Sequence, residues 1–186
     1  MTSNSAAQRP TWWPARLETA RLTLRPVAAA DLPSIERLWR DERVRRYLGG
    51  PVSEDKIALR RRHLPGMPGA FATEDRTSGS CIGLVTVEPD SPRDGTEVSY
   101  TFLPEWWGHG LAREAVAAAV EWARDLPGGS RVVAVTQSAN AGSRHLLEAI
   151  GLSADHETVE YGEPQTVYVA GPRRGAVSAT TSGLGP

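Results

Sequence analysis

The stretch from Thr96 to Asp125 limits most sharply what this chain can fold into. Thr96 to Leu103 alternates with period two, Pro104 to Gly110 carries Gly108 and Gly110, and Leu111 to Ala123 repeats apolar and small residues at helical spacing. A strand, a tight turn and a helix in that order require a sheet with the helix laid across it. The two glycines let the backbone turn with no side chain in the way. The N–H groups that open the helix have no partner inside it, and the helix dipole points its positive end at the same place. A phosphate or pyrophosphate suits such a turn, although glycine-containing strand-to-helix turns are also common plain connections. The preceding strand adds weight, because Glu97, Ser99 and Thr101 alternate with Val98, Tyr100 and Phe102. A central parallel strand is normally apolar on both faces, so this polar face implies a wet cleft.

The rest of the chain supplies a sheet for that unit. Residues 1–15 carry no period and are read as a disordered segment, with Trp12 and Trp13 candidates to fold back onto the domain. Arg21 to Val27 alternates and ends near Pro26, which predicts an edge strand. Asp31 reads as an N-cap, with Ile35, Leu38 and Trp39 as the apolar stripe of the first helix. A second helix is expected after Ser53, its Arg60 to Arg62 triplet a solvated face. Gly69 to Glu74 and Ser80 to Val87 suggest a hairpin, followed by an acidic, proline-broken loop from Glu88 to Gly95. After the central helix come a short buried strand at Arg131 to Thr136, a helix from Ala141 to Ile150 capped by Asn140, and a last hairpin at Asp155 to Tyr161 and Thr166 to Ala170. Residues 172–186 read as a disordered tail, which leaves 16–171 as one α/β (α+β) domain.

Composition removes several function classes. The formal net charge of −1 gives no global attraction to nucleic acid or anionic membrane. No apolar run approaches the roughly 20 residues of a membrane span, and the start lacks a signal pattern, so a cytoplasmic protein is expected. Cys81 is the single cysteine, which excludes an intramolecular disulfide and a multi-cysteine metal site. Its strand-like surroundings suggest a small buried hydrophobe. His145 and His156 lack partner ligands in sequence, so no metal site is expected.

Three pieces of the chain together resemble the GNAT acetyltransferases, most nearly the branch with the ribosomal-protein N-terminal acetyltransferases and related small-amine enzymes. They are Thr19-Ala-Arg21-Leu-Thr-Leu-Arg25-Pro26, the turn Trp106-Trp107-Gly108-His109-Gly110-Leu111-Ala112 with Glu114 behind it, and the set Asn140, Ser143, Glu148 and Gly151. The likeness covers about residues 16 to 171. It implies a mixed, mostly antiparallel sheet of about six to seven strands and about four helices, splayed open around acetyl-CoA. It further implies that the pyrophosphate rests on the amides of Trp107, Gly108, His109, Gly110, Leu111 and Ala112. The pantetheine arm would pair with the strand edge near Phe102 and Leu103 and with Asn140.

The implied reaction is attack by a primary amine, of a protein N-terminus or a small molecule, on the thioester. A typical amine is protonated at neutral pH and must first lose a proton, whereas the leaving thiolate, with a pKa near ~8.5, needs modest help. Glu97 is the candidate base, and Ser143 the candidate partner of the sulfur, directly or through water. Each also has a plain reading: a carboxylate at a strand start, a serine at a helix N-terminus. Asn140 serves equally as a helix cap, and Glu114 suits the helix dipole as a structural residue. Three positions depart from the family pattern. Leu147 stands where many members place a tyrosine, Glu105 where relatives carry Gln or Arg, and His109 where relatives carry Lys or Arg. The missing tyrosine keeps a second reading open, an acyl-CoA-binding module with lost catalysis. A P-loop protein is disfavoured, since no Gly-x4-Gly-Lys-[Ser/Thr] occurs and Lys56 is the sole lysine. The sequence leaves open whether the chain pairs as a homodimer.

Overall fold

The computed structural model describes residues 10–127 and 129–171, and the expectations for residues 1–9 and 172–186 lie outside these. Among the described residues the strands are β1 (Leu17–Glu18), β2 (Leu22–Pro26), β3 (Ala70–Asp75), β4 (Cys81–Ser91), β5 (Gly95–Phe102), β6 (Val132–Gln137), β7 (Leu152–Glu160) and β8 (Glu163–Ala170). The helices are α1 (Leu32–Arg40), α2 (Glu42–Arg45), α3 (Glu54–His63), α4 (Leu111–Ala123) and α5 (Ala141–Ala149). The strands form one mixed sheet in the order β1-β2-β3-β4-β5-β6-β8-β7, antiparallel throughout except where β5 runs parallel to β6. The two-residue β1 and four-residue α2 take the element counts above the expectation, since such short pieces leave no period to read.

Strand alternation builds a core on each face of the sheet. On one face Leu22, Leu24, Phe71, Val85 and Val98 pack against Leu111, Ala115, Val116, Ala119 and Val120 of α4. The alanines let α4 lie close to the sheet. Trp13 is only 4% exposed and joins this cluster, meeting Phe71 edge to face at 4.9 Å between ring centroids. Residues 10–15 are irregular in backbone, yet a buried indole fastens them. On the opposite face Val27, Ile35, Trp39, Ile57, Ala70 and Ala72 form a second cluster under α1 and α3.

Three local expectations change. The strand after Arg21 is not the edge, because Leu17 and Glu18 pair with Leu24 and Thr23 outside it. The segment Glu88 to Gly95 is not an open loop. β4 continues through Pro89 to Ser91 and returns directly into β5, with a register shift between Glu88 and Ser91 that accommodates the proline. Asp31 does precede α1, but its side chain caps no helix amide. It instead accepts the Arg25 guanidinium at 2.8 and 2.9 Å and the Ala28 N–H at 2.8 Å.

Candidate active site

The site begins where the sheet comes apart. Only Thr96 with Val132 and Glu97 with Val133 pair between β5 and β6, and beyond them the parallel strands separate. Thr96 sends its N–H to Arg131, on the β6 side, whereas Leu103 sends its N–H to Ile82, toward β4. The alternation of a strand therefore leaves the N–H groups of Val98, Tyr100 and Phe102 on the side of the gap. The Phe102 carbonyl accepts the Trp107 indole N–H at 2.8 Å, and the Phe102 ring is buried over Gly83, where a Cβ would lie 2.5 Å from it. Of the two residues expected along the pantetheine, Phe102 thus opens its backbone edge to the gap and Leu103 turns its N–H away.

The turn closes one end of the gap. Pro104–Trp106 is a 3-10 turn, and the Trp107 N–H goes back to Pro104 at 3.2 Å, so that amide is taken. Gly108 (φ 79°) and Gly110 (φ 74°) are left-handed, and Gly110 is the N-cap of α4. Glu114 is the first residue of the helix region to return its N–H to the backbone, to Gly110. Among the described residues no backbone acceptor takes the N–H groups of Gly108, His109, Gly110, Leu111 or Ala112. They lie at the positive end of α4, an anion-binding arrangement. The His109 side chain is exposed, and Glu105 pairs with Arg37 of α1 at 2.6 Å, so α1 supplies a cation beside the turn. A groove of about 690 Å³ lined by Arg21, Arg37, Leu103, Trp106 and Leu111 runs along this side.

Across the gap stands the N-terminus of α5. The Asn140 side-chain oxygen accepts the Ser143 N–H at 3.2 Å, which makes Asn140 the cap its sequence position suggests. The Ser143 hydroxyl lies 2.7 Å from the Tyr100 hydroxyl, joining α5 to the open part of β5. Tyr100 was not singled out in sequence, although its place on the strand's alternating pattern is the signal for it. Burial pushes its phenol up to about 12, against the lowering effect of the Ser143 bond. Leu147 is fully buried in the core under α4.

Glu97 lies on the other face of β5. Its neighbour Thr101 pairs with Leu84, which packs against the second cluster, so Glu97, Ser99 and Thr101 look toward α1 and α3. The Glu97 carboxylate is not free. It accepts the Ser91 hydroxyl at 2.8 Å and Arg93 Nε at 3.2 Å, while Arg93 also reaches Glu160 of β7 at 2.7 Å. That last bond, with the Arg93 charge behind it, holds the Glu160 carboxyl below the ordinary carboxylate range. Glu97 and Ser143 are therefore not in contact, and the gap between β5 and β6 lies between the elements that carry them.

Cys81 is buried, and burial pushes its thiol up to about 11, which leaves it protonated and unreactive at neutral pH. Among the described residues no group of three or more His, Cys, Asp or Glu side chains is placed to hold a metal ion. Among them, too, no helix is long and apolar enough to cross a membrane.

Comparison with known proteins agrees with this architecture. FsC-acetyl coenzyme A-N(2)-transacetylase of Aspergillus fumigatus is 26% identical over 151 residues, which cover 74% of this chain and 64% of that protein. The chain thus spans less than two thirds of that relative's length. The solved acetyltransferase of Agrobacterium tumefaciens matches 85% of this chain and 95% of its own, at 27% identity and a TM-score of 0.71. Spermidine N-acetyltransferase of Vibrio cholerae, solved in complex with CoA and spermine, matches 81% and 94% at 24% identity and a TM-score of 0.66. The family model described as the acetyltransferase (GNAT) domain matches residues 21–153, well over half of the chain. With that match, and with a sheet that parts beside a glycine turn, this chain belongs to the GNAT acetyltransferase family.

Proposed function

We propose that the protein is an acetyl-CoA-dependent N-acetyltransferase acting on a primary amine, either a protein N-terminus or a small molecule. The observation that carries this reading is the parting of β5 from β6 beyond Glu97 and Val133, with unpaired amides at the turn that closes it. Pantetheine would lie along the open edge at Tyr100 and Phe102, and its pyrophosphate on the amides from Gly108 to Ala112. The same fold holds CoA in the Vibrio cholerae neighbour. A cytoplasmic setting, where acetyl-CoA is made and used, goes with this chemistry.

The neutral amine attacks the thioester carbonyl, a tetrahedral intermediate forms, the C–S bond breaks, and the proton that the new amide nitrogen sheds passes to the departing thiolate. Glu97 takes the proton of the acceptor ammonium, directly or through water, once Arg93 releases it. Ser143 gives a hydrogen bond to the leaving sulfur, and the Tyr100 hydroxyl donates to Ser143 in turn. This arrangement supplies a hydroxyl for the sulfur without a tyrosine at position 147. The resemblance to the ribosomal-protein branch favours a protein N-terminus as acceptor, and the spermine-bound neighbour favours a small polyamine.

The test joins calorimetric titration of acetyl-CoA with thiol release against N-terminal peptides and small amines. Binding with acceptor-dependent release is expected. Binding without release from any acceptor would favour the coenzyme-binding module, and no binding would overturn the reading. Glu97→Gln is expected to lower kcat by about a hundredfold with little change in acetyl-CoA affinity, most visibly below the amine's pKa. Full activity in that variant would remove Glu97 from the mechanism.

A further inference from the structure

Two sequence pieces far apart in the chain meet beneath the turn. Glu114, in the first turn of α4, accepts the Thr19 hydroxyl at 2.6 Å, the Arg21 N–H at 2.9 Å and the Arg21 guanidinium at 2.7 Å. The same guanidinium donates through Nη1 to the His109 carbonyl at 2.9 Å. Burial alone would raise the Glu114 pKa, but the bonds from Thr19 and Arg21 outweigh it and hold the group ionised.

Two physical consequences follow for an anion on the turn. The His109–Gly110 peptide is trans, and in a planar trans peptide the C=O and the next N–H point opposite ways. A carbonyl fixed toward Arg21 therefore turns the Gly110 N–H away from Arg21. Further, an ionised carboxylate one turn into α4 would repel a phosphate at the helix start, and the Arg21 charge cancels it. We propose that Arg21 and Glu114 are positioning residues for the coenzyme pyrophosphate, with the carboxylate anchoring the guanidinium and the guanidinium orienting the His109–Gly110 peptide. This rests on the acetyltransferase reading above.

The test measures dissociation constants by calorimetry for CoA and for pantetheine, which lacks the pyrophosphate and nucleotide. Arg21→Gln is expected to weaken CoA about tenfold or more while pantetheine changes less than about twofold. Adding Glu114→Gln to Arg21→Gln removes the unpaired carboxylate and should recover part of the CoA affinity. Arg21→Lys keeps the charge but not the fork, and should fall between wild type and Arg21→Gln. Melting temperatures of each variant check that it is folded. Unchanged CoA affinity, equal losses for both ligands, or a double variant weaker than Arg21→Gln alone would overturn the proposal. Failure of the wild-type protein to bind CoA would instead remove the underlying reading.

Discussion

Leu147 is closed into the core, whereas the Tyr100 hydroxyl reaches Ser143 at the N-terminus of α5. Leu147 is fully buried in the cluster that also holds Val116 and Leu152. A second hydroxyl comes from the opposite wall, on Tyr100, and lies 2.7 Å from that of Ser143. If Ser143 serves the sulfur and Tyr100 serves Ser143, Ser143→Ala should lower kcat by about a hundredfold and Tyr100→Phe by about tenfold. The KM for acetyl-CoA should change little in either. The double variant should be no slower than Ser143→Ala, since the two hydroxyls act in series. Additive losses in steady-state kinetics would show that Tyr100 acts on its own.

The turn from Pro104 to Gly110 offers backbone, since among the described residues no backbone acceptor takes the N–H of Gly108, His109 or Gly110. At Gly110 an added Cβ would meet only Arg21 Nη2, at 3.7 Å, an ordinary contact. Substitution there acts through φ, since 74° is strained for a β-branched residue by about 1–3 kcal/mol. Gly110→Val is therefore expected to abolish measurable acetyl-CoA binding by shifting the turn, with a modest fall in Tm. Retained affinity would separate the turn from phosphate binding. The connection from β4 to β5 lies at the other end of β5. Its bulge brings Ser91 and Arg93 back onto Glu97, so one short connection governs how freely the candidate base is available.

At the scale of the molecule, ion pairs link elements that packing alone leaves adjacent. Arg93 joins the β4–β5 connection to β7, and Arg131 joins the start of β6 to Asp155. Bonds from Arg93 and Arg131 hold Glu160 and Asp155 below the usual carboxylate range, and Arg43 holds Asp41 down to about 2. A carboxylate whose pKa is lowered on folding stabilises above its unfolded value, about 4, and loses that contribution as pH falls through the folded value. The Tm should therefore drop as pH is lowered from about 4 toward 2, and Asp41→Asn should flatten the lower part of that fall. Melts that lose this stability entirely above about pH 5 would contradict the assignment. The sequence by itself determined the strand, turn and helix around Gly108 and Gly110, the stripes of α1 and α4 and the cap at Asn140. Each rests on period, backbone freedom or a bond a few residues away. Only the tertiary structure decided that Arg93 ties Glu97 to Glu160 of β7, that Tyr100 meets Ser143, and that Arg21 and Glu114 meet beneath the turn. Those contacts join residues brought together by sheet register and helix docking, which no local pattern encodes.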